Sequence, residues 1–119
     1  MSKILVVDDA PEISVLMEDI LTPYGYEVES APNASAAMEK IRRAAPALIL
    51  LDVMMPGKNG FEFLQDLKAT VFKTIPVIMV TVRGEREDIE RGLKAGASDY
   101  VVKPFDPEDL VARIRKILV

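Results

Sequence analysis

The sequence predicts an α/β fold, a five-stranded parallel sheet with helices on both faces, and three observations lead to it. Apolar runs of four or five residues, "ILVV", "ALILL" and "VIMV", recur along the chain. That length suits strands covered on both faces and falls far short of the roughly 20 residues of a membrane span. Between the runs, apolar residues fall three and four apart, the spacing of one helical face. The two patterns alternate strictly through 119 residues without internal repeat or low-complexity tract. Such alternation points to right-handed crossovers and to one domain with enough apolar material for its own core.

Each element follows in turn. The first strand is expected at residues 4–7, and the first helix from Ile13, Leu16, Met17, Ile20 and Leu21, which share a face. The second strand, 27–30, alternates in polarity and reads as an edge. Asn33 is placed to cap a second helix patterned on Ala34, Ala37, Met38 and Ile41. The third strand, 47–51, is apolar throughout. Asn59 can cap the third helix, whose buried side would be Phe61 and Leu64 flanked by Phe63 and Leu67. After a fourth strand at 77–80 comes a fourth helix over 86–95, with only Ile89 and Leu93 as large apolar residues and an end at Gly96. Gly92 inside it costs about 1 kcal/mol relative to Ala and marks either close packing or a labile segment. The fifth strand is 100–102. The fifth helix opens with Asp106 as N-cap, Pro107 at its first position and Glu108 and Asp109 in its first turn, and buries Leu110, Ile114 and Ile117. A doubly wound (βα)5 sandwich with strand order 2-1-3-4-5, the flavodoxin-like arrangement, is expected. Such sheets bind ligands at the carboxyl ends of the strands, near the point where strand order reverses.

Composition narrows the chemistry. A formal net charge of −4 argues against direct nucleic-acid binding and against an anionic membrane surface, since either needs clustered Lys and Arg. The chain has no Cys and no His, which removes disulfides, Cys/His zinc sites, Ser-His-Asp triads and thiol nucleophiles. Lys3 is followed by only four apolar residues before Asp8 and Asp9, which is not a signal-peptide pattern, and the expectation is a cytoplasmic protein.

The residues that close the strands carry what chemistry remains. Asp8 and Asp9 follow the first strand, Asp52 the third, Thr81 the fourth, and Lys103 and Pro104 the fifth. Taken singly, each has a plain structural role: an Asp there is usually a turn former or helix cap, a Lys-Pro is loop, and Tyr100 is a core or rim aromatic. Taken together they fall on one edge of the sheet. Three carboxylates about 5 Å apart repel by roughly 3 kcal/mol per pair at an effective dielectric near 20, so the edge wants a cation. Oxygen-only ligands suit Mg²⁺, with Mn²⁺ as the alternative, and Mg²⁺ commonly takes one or two carboxylates, waters and a phosphate oxygen. The remaining carboxylate, Asp52, can act as a nucleophile toward a phosphoryl group when a metal and Lys103 neutralise the developing charge. Thr81 can hydrogen-bond another phosphoryl oxygen.

At these residues the chain resembles the receiver domain of two-component response regulators, of the chemotaxis-regulator type. "ILVVDD", "LILLDVMMPGKNGFEFL", "IPVIMVT" and "GLKAGASDYVVKPF" each sit where that family has its motifs, and the resemblance covers essentially residues 1–119 as one receiver domain. It implies a phosphorylation-dependent signalling switch rather than a metabolic enzyme. Asp52 would accept a phosphoryl group from a sensor histidine kinase or a histidine phosphotransfer protein. Asp8 and Asp9 would bind Mg²⁺ together with Asp52 and the backbone carbonyl of Met54, and Lys103 would pair with the phosphoryl group. Thr81 and Tyr100 would move together as the switch, and the Lys103-Pro104 peptide bond would be cis. The surface of the fourth helix, fifth strand and fifth helix would carry the output to a downstream protein or a covalently linked output domain, and a phospho-dependent homodimer is a further expectation.

The chain departs from the family pattern after Thr81, where a very small residue is usual and Val82 stands. Two positions that often tune hydrolysis, two beyond Asp52 and two beyond Thr81, are Met54 and Arg83. Met cannot orient a water strongly, whereas Arg83 has the reach to contact the phosphate. A long-lived phosphorylated state is the expectation, and a phosphoryl half-life no longer than that of Met54→Asn would count against it. Two other classes compete. A metal-dependent phosphohydrolase with an Asp nucleophile would carry a second Asp where Met54 stands, and would turn over a phosphomonoester. A degenerate interaction module would lack part of the set Asp8, Asp9, Asp52, Thr81 and Lys103. The last residues, "RKILV", fall inside the apolar pattern of the fifth helix, which leaves two alternatives open, a piece of a longer regulator with an output domain or a domain that works alone as a shuttle.

Overall fold

The computed structural model describes residues 2–118. Five strands, β1 (Lys3–Val7), β2 (Glu27–Ala31), β3 (Leu48–Leu51), β4 (Val77–Thr81) and β5 (Asp99–Val102), alternate with five α-helices. The helices are α1 (Pro11–Leu21), α2 (Ala34–Arg43), α3 (Gly60–Lys68), α4 (Arg86–Lys94) and α5 (Pro107–Ile117). All strand pairs are parallel and the order is β2-β1-β3-β4-β5. The expected fold class, every expected element and the strand order are present, with strand ends within one residue of expectation.

The apolar strands are continuous in sequence because both faces are covered. Leu5 and Val7, Ile49 and Leu51, and Val77 and Met79 point to one side, where they pack with Ile41 of α2, Phe61, Phe63, Leu64 and Leu67 of α3 and Ile89 of α4. Their alternates Ile4 and Val6, Leu48 and Leu50, and Ile78 and Val80 point to the other, against Met17 and Leu21 of α1 and Leu110, Val111 and Ile114 of α5. Helix ends follow the sequence signals. The Asn59 side chain accepts from the Glu62 N–H while Glu62 accepts from the Asn59 N–H, and Asn33 and Asp106 cap α2 and α5.

One local expectation needs correction, and two features lie beyond the sequence pattern. Leu16, expected on the buried face of α1, is 42% exposed. It lies at the margin of the stripe and, with Ile13, Val82, Pro104 and Phe105, lines an apolar hollow open to solvent. Leu93 of α4 is exposed, and the buried residues of that helix are Asp88 and Gly92, with Ile89 partly buried against the core. A 3-10 turn at Thr22–Tyr24, closed by Gly25 at φ 90°, joins α1 to β2, and the sequence reading did not include it. Among the described residues no helix is long and apolar enough to cross a membrane.

Candidate functional site

The strand order reverses at β1, which has β2 on one side and β3 on the other, so the ends of β1 and β3 meet at the reversal point. Backbone hydrogen bonds lock the acidic residues there. The Asp8 N–H donates to the Ala31 carbonyl at 3.1 Å and the Asp52 N–H to the Val7 carbonyl at 3.0 Å. Each carboxylate then folds back on its own chain: Asp8 Oδ1 accepts from the Ala10 N–H at 2.9 Å, and Asp52 Oδ1 from the Met54 N–H at 3.1 Å. Gly60 makes the close approach possible, since a Cβ on it would lie 2.3 Å from the Asp52 carbonyl oxygen. The sequence reading passed over Gly60, although a Gly directly after a helix cap signals close backbone packing.

The second oxygens share one cation. Lys103 Nζ donates to Asp8 Oδ2 at 2.8 Å and to Asp52 Oδ2 at 3.4 Å. The Lys103 N–H is held by the Thr81 carbonyl at 2.8 Å, which fixes the end of β5 beside β4. The Lys103-Pro104 peptide bond is cis. Burial pushes the Asp8 carboxyl above its usual range, against the Lys103 hydrogen bond and with the negative charge of Asp52 adding to the rise. Burial would lower the Lys103 ammonium, but its bond to Asp8 and the charge of Asp52 outweigh this and raise it, so it stays protonated at neutral pH.

Asp9 is exposed and completes the cluster: one carboxylate oxygen from each of Asp8, Asp9 and Asp52 lies within 4.8 Å of the others. One lysine against three carboxylates leaves the cluster short of positive charge. An all-oxygen, partly open donor set of this size fits a hard divalent cation that keeps some of its waters. The cluster can therefore bind a metal.

Opposite the acids stands a second group. Thr81, the last residue of β4, is fully buried, and its Oγ1 accepts from the Arg83 N–H at 3.3 Å. Tyr100 is turned inward, 7% exposed, and its hydroxyl donates to the Arg83 carbonyl at 2.5 Å. Burial first, and the nearby charge of Asp88 next, push its phenol up to about 12. The Arg83 guanidinium lies 2.8 Å from Asp88 on α4. The sequence pattern does not single out Asp88, which the structure buries in the first turn of α4. Met54 and Val82 are exposed at the rim.

Comparison with known proteins decides the family. Residues 4–115 match the family profile described as "Response regulator receiver domain". The chain belongs to the response regulator receiver domain family. Among its relatives, this receiver domain is 47% identical over 116 residues to a probable transcriptional regulator, ycf27, of Pyropia yezoensis, covering 98% of this chain and 47% of that protein. It is 42% identical over 117 residues to the phosphate regulon transcriptional regulatory protein PhoB of Escherichia coli, covering 98% of this chain and 51% of that one. The chain thus spans about half the length of the curated relatives it matches. Among solved structures, the chemotaxis protein CheY4 of Vibrio cholerae superposes with a TM-score of 0.91 at 35% identity, covering 98% of both chains. The BeF3-activated DrrB receiver domain superposes with a TM-score of 0.90 at 35% identity, covering 99% of this chain and 97% of that one. The chain is thus a signalling domain of the two-component type.

Proposed function

We propose that the domain accepts a phosphoryl group on Asp52 from a phosphohistidine of a kinase or phosphotransfer partner, and that the resulting change passes through Thr81 and Tyr100 to the surface of α4, β5 and α5. The observation that carries this reading is the shared lysine, because Lys103 holds Asp52 by one oxygen while Asp8 takes the stronger contact. In the transfer, an Asp52 oxygen bonds to phosphorus as the phosphorus–nitrogen bond of the donor breaks and its electron pair passes to the imidazole. Lys103 keeps its protons throughout and faces the developing negative charge, while the Thr81 hydroxyl remains free to donate to a phosphoryl oxygen. Asp8, Asp9, Asp52 and the Met54 carbonyl would hold Mg²⁺, or Mn²⁺ in its place, which when bound supplies further positive charge against the phosphoryl oxygens. The acceptor is the chain's own side chain, so the domain is a switch and not a metabolic enzyme. A cytoplasmic site of action, and a linked output domain of the kind a transcriptional regulator, as its relatives are named, would need, or a phospho-dependent homodimer, accord with this role.

Acetyl phosphate with Mg²⁺ should add one phosphoryl mass to the wild type and none to Asp52→Asn. An unmodified wild type overturns the reading. Mg²⁺ at a hundredfold excess over its Kd should stabilise the folded state by about 2.7 kcal/mol, on the order of 10 °C in melting temperature. Asp9→Ala should lose most of that shift, and equal shifts in the two proteins would refute the metal ligands assigned.

A further inference from the structure

Arg83 meets three partners with three different groups. Its N–H donates to Thr81 Oγ1, its carbonyl accepts from the Tyr100 hydroxyl, and its guanidinium donates to Asp88 Oδ1. Both side chains of the switch therefore hang on the backbone of one residue, and the side chain of that residue is tied to α4. Asp88 is 8% exposed, whereas Glu85, Arg86 and Glu87 beside it are open to solvent. The helix dipole favours an acid in the first turn but does not explain burial, since Glu87 has the same benefit while exposed. A carboxylate leaves water only where a partner compensates it, and Arg83 is that partner.

We propose that Asp88 is a positioning residue for phosphoryl acceptance: through Arg83 it fixes the loop between β4 and α4, so that the Thr81 hydroxyl is oriented at the rim and Tyr100 is kept inward. The inference rests on Asp52 being the phosphoacceptor. It makes α4 a holder of the switch as well as part of its output. Loss of the ion pair frees the Arg83 backbone, disorders Thr81 and releases Tyr100 outward.

The test is a double-mutant cycle of Asp88→Asn, Arg83→Gln and both together, with cooperative urea unfolding as the check that each folds. Two readouts are taken: the rate of phosphorylation by acetyl phosphate with Mg²⁺, and residue-resolved hydroxyl-radical labelling of Tyr100 in the unphosphorylated protein. Each single variant should slow phosphorylation and raise Tyr100 labelling, both roughly fivefold, and the double variant should be no worse than either. Asp88→Glu, which keeps the charge, should restore most of both. Additive effects, or Tyr100 labelling unchanged in Arg83→Gln, overturn the proposal. A wild type that takes up no phosphoryl group removes the phosphoacceptor reading, and the positioning role with it. The labelling cycle then still decides whether Asp88 holds Tyr100.

Discussion

The acidic half of the rim and the switch half face each other across the strand ends but are held by different means. Asp8 and Asp52 are fixed by backbone: their N–H groups bond to neighbouring strands, and their Oδ1 atoms close tight turns. Thr81 and Tyr100 also lie in the sheet, on the paired strands β4 and β5, but their side-chain hydroxyls are held through one loop residue and its ion pair to a helix. Backbone ladders in a central sheet open only with global unfolding, whereas loop contacts open locally. Under the proposed function, the acidic side is then the half that stays still and the side of Thr81 and Tyr100 the half that moves, with the charge change at Asp52 as the stimulus.

Two glycines put this contrast under the largest strain. A methyl group on Gly60 would sit 2.3 Å from the Asp52 carbonyl oxygen and 2.8 Å from Val53 Cα. Both are backbone atoms, so no rotamer relieves the overlap. Gly60→Ala should lose about 3 kcal/mol in urea unfolding and should blunt the Mg²⁺ melting shift by displacing Asp52. A variant as stable as the wild type would show the acidic half to be softer than argued.

Gly92→Ala meets a different neighbour. Its Cβ would lie 2.9 Å from Tyr100 Cδ2 and 3.0 Å from Cε2, the outer part of a ring that can swing away. Replacing a helix-interior glycine gains about 1 kcal/mol of propensity, which offsets the contact, so net stability should change by less than about 1 kcal/mol. Hydroxyl-radical labelling of Tyr100 should rise severalfold. A loss as large as that of Gly60→Ala would erase the distinction between the two halves.

The same difference explains what the sequence made legible. Strand runs, helix stripes and caps are local patterns, and they located every strand and helix to within a residue or two. The residues gathered at the rim were also legible, because a parallel sheet presents the carboxyl end of each strand at one edge, so Asp8, Asp52, Thr81 and Lys103 could be read off strand ends. The web around Arg83 was not. Asp88 lies five residues from Arg83 across a helix start, outside the three- and four-residue spacings of helical pairs. A buried acid in a first turn looks in sequence like any exposed one. Leu16 is exposed against expectation for a related reason: periodicity says which residues share a face, but not how far the neighbouring elements extend over it.

Tyr100 offers the finest test of the movable half, because its inward position has a titration signature. Its phenol is pushed up from the ordinary 10.0 to about 12, by burial first and by the charge of Asp88 next. Between these values the folded protein keeps a proton that the unfolded chain has lost. The contribution of Tyr100 to stability is thus fully present below pH 10 and declines as pH rises toward about 12. Lys103, raised from 10.5, adds a loss of the same sign at high pH. Tyr100→Phe should therefore flatten the fall of stability with alkaline pH without abolishing it. At neutral pH it should lose about 1 kcal/mol with the hydrogen bond to Arg83. Urea midpoints measured from pH 7 to 12 for both proteins decide the matter: parallel curves would mean that Tyr100 ionises as freely in the fold as outside it, and that the switch does not rest inward.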